Sequence, residues 1–307
     1  MAQAESNGIL IEYETFGDPS SPAILLFAGL GVQLIGWESR ICQKLSNSGY
    51  YVIRFDNRDA GLSTKCNGTM SSKELTKKMY ALLTGKSETV PYTIDDMADD
   101  AAGLLDFLKV GKAHVCGMSM GGFIAQTFAI KHSERTLTLT SIYSHTGKNG
   151  AFQPTKEALE GMIAPVPVER NGYISHKTKF FKLVHGKGLP FDEEFHKEMS
   201  AKSYDRSFYP DGIARQYLAI LTQKDRTLYL NKIKVPALVI HGDDDPLVPL
   251  SGGKATADAI SDSEFKIIKG MGHAMPNPNN AWWDEILDSM VEHMRKISCQ
   301  IEADRLN

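Results

Sequence analysis

Cysteine is scarce. The chain has four in 307 residues, Cys42, Cys66, Cys116 and Cys299, scattered and without a C-x-x-C pair. That spacing excludes a disulfide frame and a cysteine-based zinc site, and suits free thiols in a reducing compartment. Charge imbalance is also missing: 34 Lys and Arg face 37 Asp and Glu, a net charge of −3. No strong field is therefore available to draw in nucleic acid or an anionic membrane. No uninterrupted apolar run is long enough to span a bilayer. Residues Met1 to Gly8 carry neither the basic start nor the apolar stretch of a secretory leader, so a cytoplasmic location is expected. P-loop and H-E-x-x-H patterns are absent, which removes support for nucleotide hydrolysis and zinc peptidase chemistry. There is no internal repeat and no low-complexity segment.

What is present is an alternation of strand-like and helix-like segments. Ile9 to Phe16 alternates like a half-exposed strand. Ala23-Ile24-Leu25-Leu26-Phe27 is continuously apolar, as a central parallel strand covered on both faces should be. Gly36 to Asn47 suits a helix, and Tyr51 to Phe55 a second buried strand. Ile94 to Leu108 has helical spacing with acids at its start, where the helix dipole favours them. Strands ending at Cys116 and at Ile142 follow. The pattern predicts a doubly wound α/β sheet, mostly parallel, with helices on both faces.

The rhythm changes between residues 146 and 231. Helix-type segments continue without a buried strand, and 11 of the chain's 27 aromatic residues fall there. This concentration predicts an inserted helical cap over a core made of residues 1–145 and 232–307. The α/β rhythm returns at Val235 to Ile240, then Glu264 to Ile268, and a last helix is expected from Ala281 to Ile297.

Gly117-Met118-Ser119-Met120-Gly121 has the form G-x-S-x-G, with an apolar strand before it and a helix pattern after it. On such a strand-to-helix turn a serine is strained and its hydroxyl is exposed at the top of a sheet. A serine hydroxyl needs an adjacent base to act as a nucleophile. Two later strand ends supply partners. His241-Gly242-Asp243-Asp244-Asp245-Pro246 places three acids past a strand, and Gly270-Met271-Gly272-His273 places a histidine in a Gly-rich turn. At the same edge of a parallel sheet these residues can meet. The residue after the serine offers a backbone N–H for an oxyanion, which nominates Met120. Gly29-Leu30-Gly31 imitates a dinucleotide fingerprint but fails at Leu34, where the third glycine belongs.

With Phe27-Ala28-Gly29-Leu30-Gly31, Arg54 to Ser63, the serine turn, the acid turn and Gly270 to His273 in order, the chain resembles the α/β-hydrolase superfamily over nearly its full length. Within it, the chain is most similar to small esterases of the aclacinomycin methylesterase type. The resemblance implies a Ser119–His273–acid triad. It points to Asp245 as the acid, with Asp243 as second choice, and gives the second oxyanion N–H to Leu30. Ala28 stands where many relatives have histidine. The resemblance also sets Trp37 beyond the oxyanion loop as a pocket wall; Arg58, in the Asp56-Asn57-Arg58 segment, reads as a brace between loops. His241 reads as structural.

Met118, Met120, Met271 and Met275 border this site and suit an adaptable apolar pocket. The expected function is hydrolysis of small or medium apolar carboxylic esters through an acyl-enzyme, with Trp37, Met118 and Met275 contacting substrate. No metal or organic cofactor is called for. The expected partner is a small-molecule ester, with the chain a monomer or homodimer and no membrane span. A perhydrolase or C–C bond hydrolase would use the same triad, and a hormone receptor-like binding protein could keep the scaffold with little turnover.

Overall fold

A computed structural model describes residues 2–66, 72–84, 86, 88–148, 152–274 and 276–306. The chain opens with a hairpin: β1 (Ala2–Ser6) and β2 (Ile9–Phe16) pair antiparallel around Asn7 and Gly8, at φ +48° and +75°. Two successive left-handed residues give the tight turn that fits the strand twist, and Asn-Gly adopts it readily. Ala2–Ser6 has little strand propensity of its own, so β1 is not evident in the sequence; the turn and the pairing impose it.

The core continues with β3 (Ala23–Phe27), α1 (Ser39–Asn47), β4 (Tyr51–Phe55), α2 (Ser72–Leu83), α3 (Ile94–Phe107), β5 (Ala113–Met118), α4 (Met120–Lys131) and β6 (Thr136–Ile142). Five helices follow: α5 (Lys156–Ile163), α6 (Arg170–Val184), α7 (Glu193–Arg206), α8 (Pro210–Leu221) and α9 (Thr227–Leu230). The core resumes with β7 (Ala237–Gly242), α10 (Leu250–Ala259), β8 (Glu264–Ile268) and α11 (Ala281–Leu306). The strands form one sheet in the order β1-β2-β4-β3-β5-β6-β7-β8, antiparallel at the β1 edge and parallel from β4 onward. This is the mostly parallel α/β sheet that the alternation predicts, in the α/β-hydrolase arrangement that the resemblance implies.

Strand β3 shows why a central strand reads as continuously apolar. Leu25 and Phe27 face a core shared with α3 and α4, while Ile24 and Leu26 face a second core shared with α1 and α11. Side chains alternate across the pleat, so a strand covered on both sides needs apolar residues at every position. Thr93 and Asp96 close a capping box at the start of α3, each side chain accepting the other's backbone N–H at 3.3 and 2.7 Å. Two boundaries differ from the sequence reading. Leu34–Gly36 forms a separate 3-10 turn and α1 begins at Ser39, behind the Glu38 cap. The last helix runs on to Leu306.

The α5–α9 insertion is tied to the core by buried polar groups. Arg215 of α8 grips Asp59 with two hydrogen bonds, at 2.8 and 2.9 Å. Arg206 of α7 pairs with Asp56 at 2.7 Å. Gln216 accepts the Gly31 N–H and donates to the Arg58 carbonyl, both at 2.8 Å. Arg226 donates to Gln126 at 3.0 Å. The first three latches converge on the loops after β3 and β4, and the last reaches α4.

Candidate active site

Ser119 stands between β5 and α4 with φ +55° and ψ −121°, a left-handed backbone that a side-chain-bearing residue adopts only at a cost. Its neighbours make the turn possible. A Cβ on Gly121 would collide with the Phe27 carbonyl, and one on Gly117 with the Gly121 carbonyl, so the helix start can press onto the ends of β3 and β5 only with glycine there. The Ser119 N–H donates to Ile142 O at 3.0 Å, and the Ser144 hydroxyl donates to Ser119 O at 3.0 Å. The side chain keeps partial exposure.

His273 follows β8 and Asp245 follows β7. His273 Nε2 lies 2.8 Å from Ser119 Oγ, and His273 Nδ1 lies 2.7 Å from Asp245 Oδ2. An ionised carboxylate only accepts, so Nδ1 carries the proton and Nε2 is left to accept from the serine hydroxyl. The other Asp245 oxygen accepts the N–H groups of Leu247 and Val248 at 2.8 and 2.9 Å. The carboxylate is thus fixed at both oxygens.

The neighbouring acids have other partners. Asp243 Oδ1 accepts the Gly270 N–H at 2.5 Å and pins the turn that carries His273. Asp244 lies 3.9 Å from Lys187. His241 is fully buried, with Nε2 donating to Val248 O at 2.8 Å.

The histidine turn is also held by the insertion. His273 N–H donates to Val184 O at 2.5 Å, and Gly272 N–H to His185 O at 2.9 Å, at the end of α6. Tyr143 packs against the site, its ring tilted 55° to that of His273 with centroids 4.6 Å apart and its hydroxyl donating to Met118 Sδ at 3.0 Å. Burial, then the Asp245 charge, holds the Tyr143 phenol well above its ordinary range. Sequence patterning does not single out Tyr143; its one signal is its place directly after the buried strand β6.

The loop after β3 offers a free amide. Asn57 donates to Ala28 O at 3.1 Å, and Val32 N–H donates to Gly29 O at 3.1 Å. Among the described residues neither the Leu30 N–H nor the Met120 N–H has an acceptor.

Two of the residues expected to contact substrate, Trp37 and Met118, lie in the core. Trp37 is fully buried and packs on Trp283, with ring centroids 5.9 Å apart. It is a core residue, because the 3-10 turn before it swings the side chain beneath the sheet edge toward α11. Met118 and Met271 join the same core, and Met120 the core on the other face. Strand alternation explains Met118: it shares the pleat face of Cys116. Met275 lies outside the described residues. Arg58 ties its loop to helix α3 instead of to a second loop, through a buried bidentate pair with Asp100 at 2.6 and 2.5 Å.

A strained serine at a strand end, hydrogen-bonded to a histidine that an aspartate orients, defines a hydrolase site on a parallel α/β sheet. Residues 22–276 match the family model described as alpha/beta hydrolase fold, and the chain belongs to that family. It is an enzyme of the serine ester-hydrolase type. It is 29% identical over 284 residues to rhodomycin D methylesterase DnrP of Streptomyces peucetius, covering 86% of this chain and 88% of that one. It is 26% identical over 254 residues to a 2-hydroxy-6-oxononadienedioate/2-hydroxy-6-oxononatrienedioate hydrolase of Burkholderia vietnamiensis, covering 82% and 80%. Among solved structures, a putative aryl esterase from Burkholderia cenocepacia superposes with a TM-score of 0.73 at 18% identity, over 97% and 99% of the two chains. No described helix is long and apolar enough to cross a membrane.

Proposed function

We propose that the chain hydrolyses small to medium, largely apolar carboxylic esters through an acyl-enzyme on Ser119. The observation that carries this is the continuous relay from Ser119 Oγ through His273 to Asp245, with both contacts under 3 Å. His273 takes the serine proton as Oγ attacks the carbonyl, and returns it to the leaving alcohol. Asp245 keeps the imidazole in the correct tautomer and stabilises its charged form. The Leu30 and Met120 amides hold the developing oxyanion, each worth roughly 3 kcal/mol to the transition state. Water then enters, His273 accepts its proton, and the acid is released. Helices α5–α9 act as a cap that encloses the acyl and alcohol groups. The relation to the named methylesterases supports the ester reading.

Replacing Ser119 with Ala tests it. Turnover of short p-nitrophenyl esters should vanish in a folded sample, and an organophosphate should label the natural protein once, at Ser119. Normal turnover by folded Ser119→Ala would remove the mechanism.

Hydrolysis of a carbon–carbon bond is the second reading, favoured by the relatives named for oxononadienedioates. It uses the same triad. Comparing steady-state turnover of methyl esters with that of a 2-hydroxy-6-oxo-dienoate separates the two, and a burst without turnover on both would indicate a ligand-binding protein instead.

A further inference from the structure

Helix α6 crosses the proposed site. At its near end Tyr173 lines a small cavity with Gly31, Gln33 and Asp59, beside the oxyanion loop. At its far end the Val184 carbonyl receives the His273 N–H. Residues 173, 177, 180, 181 and 184 share one face at about 100° per residue. The flanks of that face are occupied. Phe180 packs toward Gly161 of α5, and Phe181 toward His196 of α7, with ring centroids 5.1 Å apart. Asn171, Ser175 and Lys179 are exposed on the opposite face, so the direction between those flanks is inward.

Lys177 occupies that direction. Its ammonium lies 5.0 Å from the centre of the Phe181 ring and 5.9 Å from that of Phe180. Among the described residues it has no carboxylate and no hydrogen-bond acceptor. Burial draws its pKa down to about 8. The residue nevertheless retains some accessible surface. Two aromatic faces offset only part of the cost of desolvating a cation. The rest is recovered when an anion arrives.

We propose that Lys177 is a specificity-determining residue that receives a carboxylate of the substrate, so that the preferred esters are apolar molecules carrying one acid group apart from the scissile ester. This rests on the Ser119 esterase reading and narrows it. Along the helix axis Lys177 stands about 6 Å from Tyr173 and about 10 Å from Val184. The acid group is therefore separated from the reacting carbonyl by several bonds.

The test compares matched substrates. One series is the monoaryl esters of four- to eight-carbon dicarboxylic acids, each beside the neutral alkanoate ester of equal length. A second series is acetates of hydroxy acids beside acetates of the corresponding alcohols, which puts the carboxylate on the leaving group. In the natural protein at least one acidic ester should exceed its neutral counterpart in kcat/KM. Lys177→Met should lower that acidic-to-neutral ratio by about tenfold or more, the cost of losing one desolvated ionic partner. Lys177→Arg should keep most of the ratio, and Lys177→Glu should turn the preference toward ammonium-bearing esters.

A ratio that Lys177→Met leaves unchanged, with both rates reduced alike, would show a packing role and overturn the proposal. So would a natural protein that favours every neutral ester. Turnover of the neutral esters with organophosphate labelling of Ser119 shows, in the same experiment, that the esterase reading stands by itself. Absence of both turnover and labelling would overturn that reading and this proposal together.

Discussion

At the residue scale, the three adjacent acids after β7 have been sorted by their hydrogen bonds. Asp245 alone reaches the imidazole. Asp245→Asn should cost on the order of 10³-fold or more in kcat, because an amide leaves the imidazole in the wrong tautomer. Asp244→Asn should cost little, since its only charged contact is a distant, exposed lysine. Asp243→Asn keeps an oxygen that can accept the Gly270 N–H, so its loss should be small too. Steady-state kinetics on one ester decides the order; a larger loss from Asp243→Asn would reassign the acid. The same scale explains Met118 and Trp37: strand alternation carries the first into the core, and the turn before α1 carries the second.

At the scale of elements, α8 joins the α5–α9 insertion to the loop after β3, the proposed oxyanion loop. Gln216 holds the Gly31 N–H while Asn57 and Val32 hold the peptides just before it. The Leu30 amide thus lies between clamped peptides. Gln216→Ala should lower kcat by roughly tenfold with a smaller change in KM, as expected when an interaction made only in the transition state is weakened. Gln216→Glu, which still accepts from Gly31, should retain more. Equal losses in the two variants would argue against this link.

Arg215 on the same helix pairs with Asp59 of the loop after β4, and the pair is almost fully buried. Breaking it with Arg215→Met leaves an uncompensated carboxylate, at a cost of about 3–5 kcal/mol. The double variant Asp59→Leu/Arg215→Met should recover part of that loss. Urea denaturation of the three proteins measures it.

At the scale of the whole molecule, buried histidines set the acid limit of stability. Burial lowers His114 and His196 to about 4, and burial followed by the Arg226 charge lowers His145 to about 3. His114 leans on Tyr50, and His196 stacks on Phe191 with centroids 4.5 Å apart. In the unfolded chain each takes up a proton near pH 6.5. The folded state resists protonation, so the unfolded state binds more protons as pH falls. Stability is then full above about pH 6.5 and declines from there toward pH 4. Each group contributes a slope of up to about 1.4 kcal/mol per pH unit. Urea midpoints at pH 7.5, 6, 5 and 4.5 should fall steadily, and His196→Phe should flatten the decline. A constant midpoint across that range would contradict this account.

Local sequence determined much of this protein. The apolar run of β3 announces a strand covered on both faces, since every pleat position must be apolar there. Gly117, Gly121 and Gly122 around Ser119 announce a turn that no bulkier residues could make. Ser119, the acid run and His273 are readable because each ends or follows a strand, and the ends of parallel strands converge. Only the tertiary structure decided which acid faces the imidazole, that Trp37 packs beneath the sheet, and that Ala2–Ser6 becomes a strand. It alone decided that Lys177, one cation among many in the sequence, stands on the inner face of α6 without a counter-ion among the described residues. The physical reason is the same in each case. Strand and turn signals come from neighbours along the chain, whereas hydrogen-bond partners, burial and the company of charges are set by residues that meet only after the chain has folded.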